Sequence, residues 1–256
     1  MTRYVAIGDS TVEGLEDPGP DGVYVGWADR LARLLRTVHP DLTYANLAVR
    51  GMTAAEVRAT QLDRALALRP DVAVVVAGVN DVLRPRFDRA ALRADLLGMH
   101  EALHGTGATV ASFTMPDMAK VAPLAVVLRG RLEALNKIVR EAGARYGTAV
   151  ADLAVEPMAS DPALWHDDRL HANSEGHRRV ALALAESLGV DAGDWRAPLP
   201  EAPRTLTAAV VAREIGWVAG HLVPWLWGRI RGCEPEMERV CKRPELLPLD
   251  GPTDHR

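Results

Sequence analysis

The chain has 256 residues, of which 48% are hydrophobic, and a formal net charge of −4. A chain of this length and apolar content is expected to form one large domain, or one domain with an appended segment. The weakly acidic balance does not favour nucleic acid as a partner, because nucleic-acid-binding domains usually carry a clustered basic face.

The amino terminus begins almost directly with a strand pattern. A secretory signal would need an apolar stretch of about 7–15 residues behind a basic start, whereas the apolar run Tyr4–Ile7 ends at Gly8. The sequence therefore predicts a cytoplasmic protein.

The two cysteines lie near the carboxyl terminus, at Cys233 and Cys241. Two cysteines do not make a disulfide framework, and no nearby histidine or third cysteine completes a zinc pattern. We expect two reduced thiols, with a local disulfide or a redox role as the alternative, and we predict neither a metal nor a cofactor.

Short apolar strands alternate with amphipathic helices along most of the chain. The predicted strands are Tyr4–Ile7, Leu42–Asn46, Val72–Ala77, Thr109–Phe113 and Ala149–Leu153. The predicted helices are Trp27–Val38, one beginning at the Thr53–Glu56 capping box, Asp88–Leu103, Leu124–Ala144, and Asn173 to about Leu188. This alternation predicts an α/β fold with a parallel sheet covered on both faces, whose functional residues follow the carboxyl ends of the strands.

The first strand ends on Gly8-Asp9-Ser10, which fits either a phosphate-binding loop or a displayed nucleophile. A Walker loop requires Gly-Lys-Ser/Thr four residues after its first glycine. Here Gly14 is the next glycine, no lysine precedes Lys120, and Asp9 would repel a phosphate. The nucleophile interpretation is therefore favoured.

A serine nucleophile needs an adjacent base that is itself oriented by an acid. The segment after the fifth strand contains Asp168 and His171, three residues apart. At that spacing within one turn of chain, the two side chains can face the same side. Asp168 is thus predicted to orient one imidazole nitrogen of His171 while the other nitrogen points at Ser10. Taken alone, such a pair also fits a solvated, helix-capping turn.

Acyl transfer also requires hydrogen-bond donors for the oxyanion. Gly51 follows the second strand and directly precedes a helix start, and Asn80 follows the third strand within Gly78-Val79-Asn80-Asp81. Asn80 alone would equally fit a turn-forming role. Its position after a strand, like that of Ser10, Gly51 and His171, favours a shared site.

Together these four segments resemble, in order, the four sequence blocks of the SGNH (GDSL-type) hydrolases, over about residues 3–188. The resemblance implies a three-layer α/β/α sandwich with a mainly parallel five-stranded sheet. It also implies that Ser10 is the nucleophile, His171 the base and Asp168 its orienting acid. The backbone N–H groups of Ser10 and Gly51 and the Asn80 side chain would form the oxyanion hole.

The resemblance assigns structural roles to Asp9 and Asp81, and it favours Asp168 over Asp167 as the acid. Arg50 stands where a small residue is frequent in the family. Either it faces the pocket and favours an anionic substrate, or it is simply exposed.

From about residue 190 the composition changes, so we divide the chain into a catalytic domain (1–190) and an appendage (191–256). The appendage has a proline-containing linker, a Trp-rich helix around Trp217, Trp225 and Trp227, and a charged tail. Charged residues and Pro224 argue against a membrane span. The helix is predicted to dock on the catalytic domain or a second subunit, to contact a membrane surface peripherally, or to cover the acyl pocket.

The sequence thus predicts a serine esterase. Its substrate would be a lysophospholipid or other acyl ester, or an O-acetylated compound, and the apolar appendage slightly favours lipid-like esters. An acyltransferase that uses the same serine, and a non-catalytic membrane- or partner-binding protein on the same fold, are the alternatives.

Overall fold

The computed structural model describes residues 2–20, 22–199 and 240–249. The predicted Trp-rich helix with Trp217, Trp225 and Trp227 lies outside these residues, as does Cys233. Cys241 is described and is a buried free thiol. Within the described residues, no helix is long and apolar enough to cross a membrane.

The described residues form a six-stranded sheet with the strand order β5-β4-β3-β1-β2-β6. Its strands are β1 (Arg3–Gly8), β2 (Thr43–Asn46), β3 (Val72–Val76), β4 (Thr109–Phe113), β5 (Ala149–Ala151) and β6 (Arg243–Pro248). The first five strands are parallel, and β6 pairs antiparallel with β2 at one edge. The parallel sheet predicted from the sequence is confirmed, with one strand more than expected.

Seven α-helices lie in the described residues. They are α1 (Ser10–Glu13), α2 (Gly26–Val38), α3 (Ala54–Ala67), α4 (Val79–Leu83), α5 (Arg89–His104), α6 (Arg129–Tyr146) and α7 (Ser174–Ser187). Helices α2 and α7 pack together, and α5 packs against both α3 and α6. Helices thus cover both faces of the sheet, in the three-layer arrangement that the resemblance implied.

The central strands are almost completely buried. All five residues of β3 and five of the six residues of β1 are buried. The register places Gly8, the last residue of β1, beside Val76, the last residue of β3. The two loops that follow, with Ser10 and Asn80, therefore start at the same edge of the sheet.

Helix α3 begins as the sequence predicts. The side chain of Thr53 accepts a hydrogen bond from the backbone N–H of Glu56, and the Glu56 carboxylate accepts one from the backbone N–H of Thr53. This reciprocal pairing satisfies two amides that a helix start would otherwise leave unpaired. It begins α3 three residues after Gly51, and so limits the length of the glycine loop, residues 47–53, between β2 and α3.

The predicted helix Leu124–Ala144 begins later than expected. Residues Pro123–Leu128 form a 3₁₀ turn, and α6 starts at Arg129. Leu124, Val126 and Val127 are exposed on this turn. Their apolar spacing resembled a buried helix face, but the side chains do not face the core, so the prediction was wrong by about one turn.

The charged tail contributes the unexpected sixth strand. The prolines of β6 are tolerated because an edge strand needs only one row of hydrogen bonds. The Lys242 ammonium donates to the backbone carbonyl groups of Tyr24 (2.9 Å) and Val25 (2.7 Å) and pairs with Asp29 (2.8 Å). Upstream, Trp195 is buried against the core. The described parts of the predicted appendage therefore pack on the catalytic domain.

Candidate active site

The nucleophile loop, Gly8-Asp9-Ser10, connects β1 directly to α1. Asp9 caps the helix, since one oxygen of its side chain accepts hydrogen bonds from the backbone N–H and the hydroxyl of Thr11, both at 3.0 Å. Ser10 is the first residue of α1, so its hydroxyl lies at the carboxyl edge of the sheet.

Gly8 is required by both conformation and space. Its φ of +155° lies in a region that residues with a side chain rarely adopt, and a Cβ there would lie 2.0 Å from the carbonyl oxygen of Val76. The nucleophile loop can thus leave β1 in this direction only with glycine at position 8.

The acid–base loop, residues 164–173, is closed by contacts within itself. Trp165 and Ala172 form an antiparallel bridge. The backbone N–H of His166 donates to the carbonyl of His171 at 2.9 Å. Asn173 caps α7 through its side chain, which accepts from the backbone N–H of Gly176. The loop therefore presents Asp168 and His171 from a short, locally closed turn.

The structure brings the three predicted triad residues together. The Nε2 atom of His171 lies 2.9 Å from the hydroxyl oxygen of Ser10. Its Nδ1 atom lies 2.6 Å from a carboxylate oxygen of Asp168. Both distances are within hydrogen-bond reach, as transfer of the serine proton to the imidazole requires.

Asp168 is built to remain ionised. Burial alone would raise the pKa of its carboxyl, but hydrogen bonds from the His171 side chain and from the backbone N–H groups of Leu170 and His171 outweigh burial and lower it to about 2. The rival residue Asp167 is exposed. The arrangement fixes the tautomer of His171, with the proton on Nδ1 and a lone pair on Nε2 facing Ser10.

Two of the three predicted oxyanion donors are available. Within the described residues, the backbone N–H groups of Ser10 and Gly51 have no hydrogen-bond acceptor. Gly51 has a φ of +78°, and a Cβ there would meet open space. The Asn80 amide nitrogen instead donates to the carbonyl of Met52 (3.1 Å) and to Asp9 (3.3 Å). Asn80 would have to exchange the longer contact for a substrate oxygen to act as the third donor.

The two other acidic residues near the site hold backbone or neighbouring side chains. Asp9 is 1% exposed, and burial raises the pKa of its carboxyl to about 6 although Thr11 and the nearby His171 lower it. Asp81 accepts a hydrogen bond from the backbone N–H of Ala54 at 2.9 Å, and burial raises its pKa. Within the described residues, neither carboxylate is hydrogen-bonded to Ser10, in agreement with the structural roles expected for them.

The side chain of Arg50 contacts Glu13, the last residue of α1. Its guanidinium forms an ion pair with the buried Glu13, which also accepts a hydrogen bond from the Arg50 backbone N–H at 2.9 Å, and it lies over the ring of Tyr24. The partner Glu13 neutralises the charge of Arg50. The contact holds the glycine loop against α1 and does not favour the anionic-substrate hypothesis.

Two buried side chains near the site did not stand out in the sequence. Gln61 forms hydrogen bonds to both backbone groups of Gly8. His177 lies on α7, where its Nδ1 accepts from the backbone N–H of Trp27 at the start of α2 and its Nε2 contacts the carbonyl of Leu15, just after α1, at 3.0 Å. Burial lowers the pKa of His177 to about 4. The available signals were that Gln61 is the only glutamine of the sequence and that His177 ends the segment from His166 that contains three histidines.

An apolar cavity of about 80 Å³ lies beside the acid–base loop. It touches the catalytic region at Thr11 and His171. Its other walls include the apolar residues Trp27, Phe113, Met118, Leu132, Met158 and Ala159. By the same measure a single water needs roughly 10–15 Å³, so the cavity has room for an apolar group of several heavy atoms.

Comparison with known proteins matches residues 6–179 to the model of the GDSL-like lipase/acylhydrolase family. The match spans more than half of the chain and contains every predicted site residue. The chain belongs to the GDSL-like lipase/acylhydrolase family. It is accordingly a serine hydrolase of the esterase/acylhydrolase type. No curated protein sequence matches the chain.

Solved structures share the fold of this chain at low sequence identity. LAE5, an α/β hydrolase from the metagenome of Lake Arreo, Spain, is 21% identical, with a TM-score of 0.62; 74% of this chain and 95% of LAE5 are covered. A variant of the acetyl xylan esterase Axe2 from Geobacillus stearothermophilus is 20% identical, with a TM-score of 0.61 and the same coverage. A GDSL-like lipase from Parabacteroides merdae is 16% identical, with a TM-score of 0.65, and 74% and 96% are covered.

Proposed function

We propose that this GDSL-like hydrolase cleaves carboxylic esters through an acyl-Ser10 intermediate. The proposal depends on one observation, the continuous chain from the Ser10 hydroxyl to His171 (2.9 Å) and from His171 to Asp168 (2.6 Å). A serine hydroxyl becomes a useful nucleophile only when such a base accepts its proton.

In the first step the Ser10 oxygen attacks the ester carbonyl while its proton moves to Nε2 of His171. The negative charge that develops on the carbonyl oxygen is met by the N–H groups of Ser10 and Gly51, and by Asn80 once its amide turns from Asp9. The tetrahedral intermediate then collapses. The alcohol leaves with the proton from His171, and the acyl group stays on Ser10.

In the second step His171 removes a proton from a water molecule, whose oxygen attacks the acyl carbonyl. The bond to Ser10 breaks, the serine regains its proton and the carboxylic acid is released. Asp168 remains ionised throughout, which stabilises the imidazolium that forms in each step.

For the substrate, we propose acyl esters with an apolar acyl chain in preference to O-acetyl compounds. The support is the apolar cavity at Thr11 and His171, since an acetyl group would leave most of it empty. Ligand sites of this kind are typically apolar, with a few polar groups that fix the orientation.

The test combines active-site labelling with a chain-length panel. A fluorophosphonate should label the wild-type protein and the Ser174→Ala control, while Ser10→Ala should give neither labelling nor hydrolysis of p-nitrophenyl esters although it folds. Labelling that persists in Ser10→Ala would refute the mechanism. Among the p-nitrophenyl esters, kcat/KM should rise from acetate to esters of four to eight carbons. Hydrolysis of acetate alone would refute the substrate proposal and leave the mechanism intact.

A further inference from the structure

Gln61 makes an unusual contact with the end of β1. It lies on α3 and its residue is 1% exposed. Its side-chain carbonyl accepts the backbone N–H of Gly8 at 2.8 Å, and its side-chain amide donates to the carbonyl of Gly8 at 2.9 Å. One side chain thus pairs with both backbone groups of a residue 53 positions earlier, as a neighbouring strand would.

The contact is placed where the nucleophile loop leaves the sheet. Gly8 precedes Ser10 by two residues, and no side chain is tolerated at position 8 because of the carbonyl of Val76. The direction of the loop therefore cannot be set by a side chain of its own at this point. Gln61 sets it from a different element.

Gln61 also reaches the glycine loop. Its amide nitrogen lies 3.4 Å from the sulfur of Met52, the residue that follows Gly51. The carbonyl of Met52 in turn accepts the Asn80 amide. Gln61 therefore contacts the two loops that carry the predicted oxyanion donors Ser10 and Gly51. It is linked to the third predicted donor, Asn80, through Met52.

We propose that Gln61 is a positioning residue, which holds the nucleophile loop and the glycine loop in register so that the Ser10 hydroxyl and the oxyanion donors face one substrate carbonyl. The proposal rests on the acyl-Ser10 mechanism proposed above. Gln61 touches no reacting atom. Its effect is on geometry, and an error of about 1 Å in such geometry can cost about 100-fold in rate.

The chain supplies a matched control in Asn136. Asn136 is 6% exposed, and its side chain pairs in the same way with the backbone of Met115, with both hydrogen bonds at 2.8 Å. Met115 lies just beyond the end of β4 (Thr109–Phe113). The two amides thus make the same pair of hydrogen bonds at the same edge of the sheet, but only Gln61 adjoins the nucleophile loop.

The experiment compares Gln61→Met with Asn136→Leu in the full chain. The readouts are the melting temperature, the rate constant for labelling by a fluorophosphonate, and kcat and KM for p-nitrophenyl acetate. Both variants should lower the melting temperature to a similar extent. Gln61→Met should lower the labelling rate and kcat by roughly 10–100-fold with KM changed less than about threefold, whereas Asn136→Leu should leave both rates within about threefold of wild type.

If these variants do not fold, a second pair of more conservative substitutions at the same two positions is compared instead. Gln61→Glu keeps an acceptor for the Gly8 N–H and loses the donor, and Asn136→Asp makes the same change at the control site. Gln61→Glu should still reduce the labelling rate more than about threefold relative to Asn136→Asp. Equal losses of rate at the two sites would overturn the role of Gln61. Absence of labelling in the wild-type protein would instead overturn the proposed mechanism, and the assignment of Gln61 with it.

Discussion

The two loops that meet at the candidate site are held in place by different kinds of contact. The nucleophile loop depends on distant residues, since Gln61 and Val76 determine the path of Gly8. The acid–base loop depends on its own residues, through the bridge between Trp165 and Ala172 and the contacts of its turn. One half of the site is therefore fixed by tertiary packing and the other half by local folding.

The carboxylates of the two loops differ in the same way. Asp9, in the nucleophile loop, is fully buried, and burial raises its pKa to about 6. Asp168, in the acid–base loop, is also penalised by burial, but its hydrogen bonds with His171 lower its pKa to about 2. The contrast teaches that the balance between burial and hydrogen-bond donors decides the charge of a carboxylate near this site. The donors outweigh burial at Asp168, whereas burial outweighs the hydrogen bonds from Thr11 at Asp9.

The largest expected effect comes from removing the charge of the acid–base loop. Asp168→Asn should lower kcat by about 10²–10⁴-fold, because an amide no longer fixes the His171 tautomer or stabilises the imidazolium. The measurement is kcat for a p-nitrophenyl ester. Asp167→Asn, a change of the exposed neighbour, is the matched control and should keep wild-type kcat. Equal losses in the two variants would mean that the acid is wrongly assigned.

A smaller effect is expected from breaking the long-range contact of the nucleophile loop. Gly8→Ala should lower the free energy of unfolding by about 3 kcal/mol or more, from backbone strain combined with overlap at the Val76 carbonyl. Denaturant titration measures the change. In the control Gly107→Ala, φ is also positive (+86°) but no atom lies near a Cβ, so only the strain of about 1–2 kcal/mol should remain. A Gly8→Ala protein as stable as this control would contradict the tertiary constraint.

The smallest expected effect concerns the buried charge of Asp9. Burial raises the pKa of Asp9 from 3.8 to about 6 in the folded protein. Between about pH 4 and pH 6, the native state therefore keeps the Asp9 proton that the unfolded chain has already released. Stability that is present below about pH 4 is therefore lost as the pH rises through about 6. Asp9→Asn should become more stable relative to wild type between pH 4 and 7, by up to about 3 kcal/mol.

Melting curves of wild type and Asp9→Asn at several pH values would show this trend. A stability difference that stayed constant with pH, or that moved in favour of wild type as the pH rose, would contradict the buried, proton-binding Asp9. Asp168 should show the opposite dependence, since the stability it contributes above about pH 4 is lost as the pH falls toward 2.

Much of the fold and of the candidate site could be predicted because each of the sequence motifs that indicate them spans only a few residues. The capping box at Thr53 and Glu56, the Asn173 cap and the spacing of Asp168 and His171 each lie within four residues. The apolar strand runs predicted a parallel sheet, and the carboxyl ends of parallel strands meet at one edge. The meeting of Ser10 with His171 followed from that topology together with the family resemblance.

The errors and omissions concern contacts between distant residues. The turn Pro123–Leu128 has the spacing of a helix, and only packing shows that Leu124, Val126 and Val127 are exposed. The proline-containing tail forms a sixth strand because β2 leaves an edge to which β6 can add. The Glu13 partner of Arg50 likewise had no signal in the spacing of the two residues.

The sequence by itself determined the order of strands and helices, the turn that presents Asp168 and His171, and the glycine that begins the nucleophile loop, since these depend on backbone preferences and hydrogen bonds between near neighbours. Only the tertiary structure decided that Gln61 pairs with Gly8, that Asn80 contacts Asp9 and Met52, and that an apolar cavity adjoins Thr11. Those outcomes depend on how α3 and the loops pack against the sheet, where each buried polar group must find a partner among residues far away in the chain.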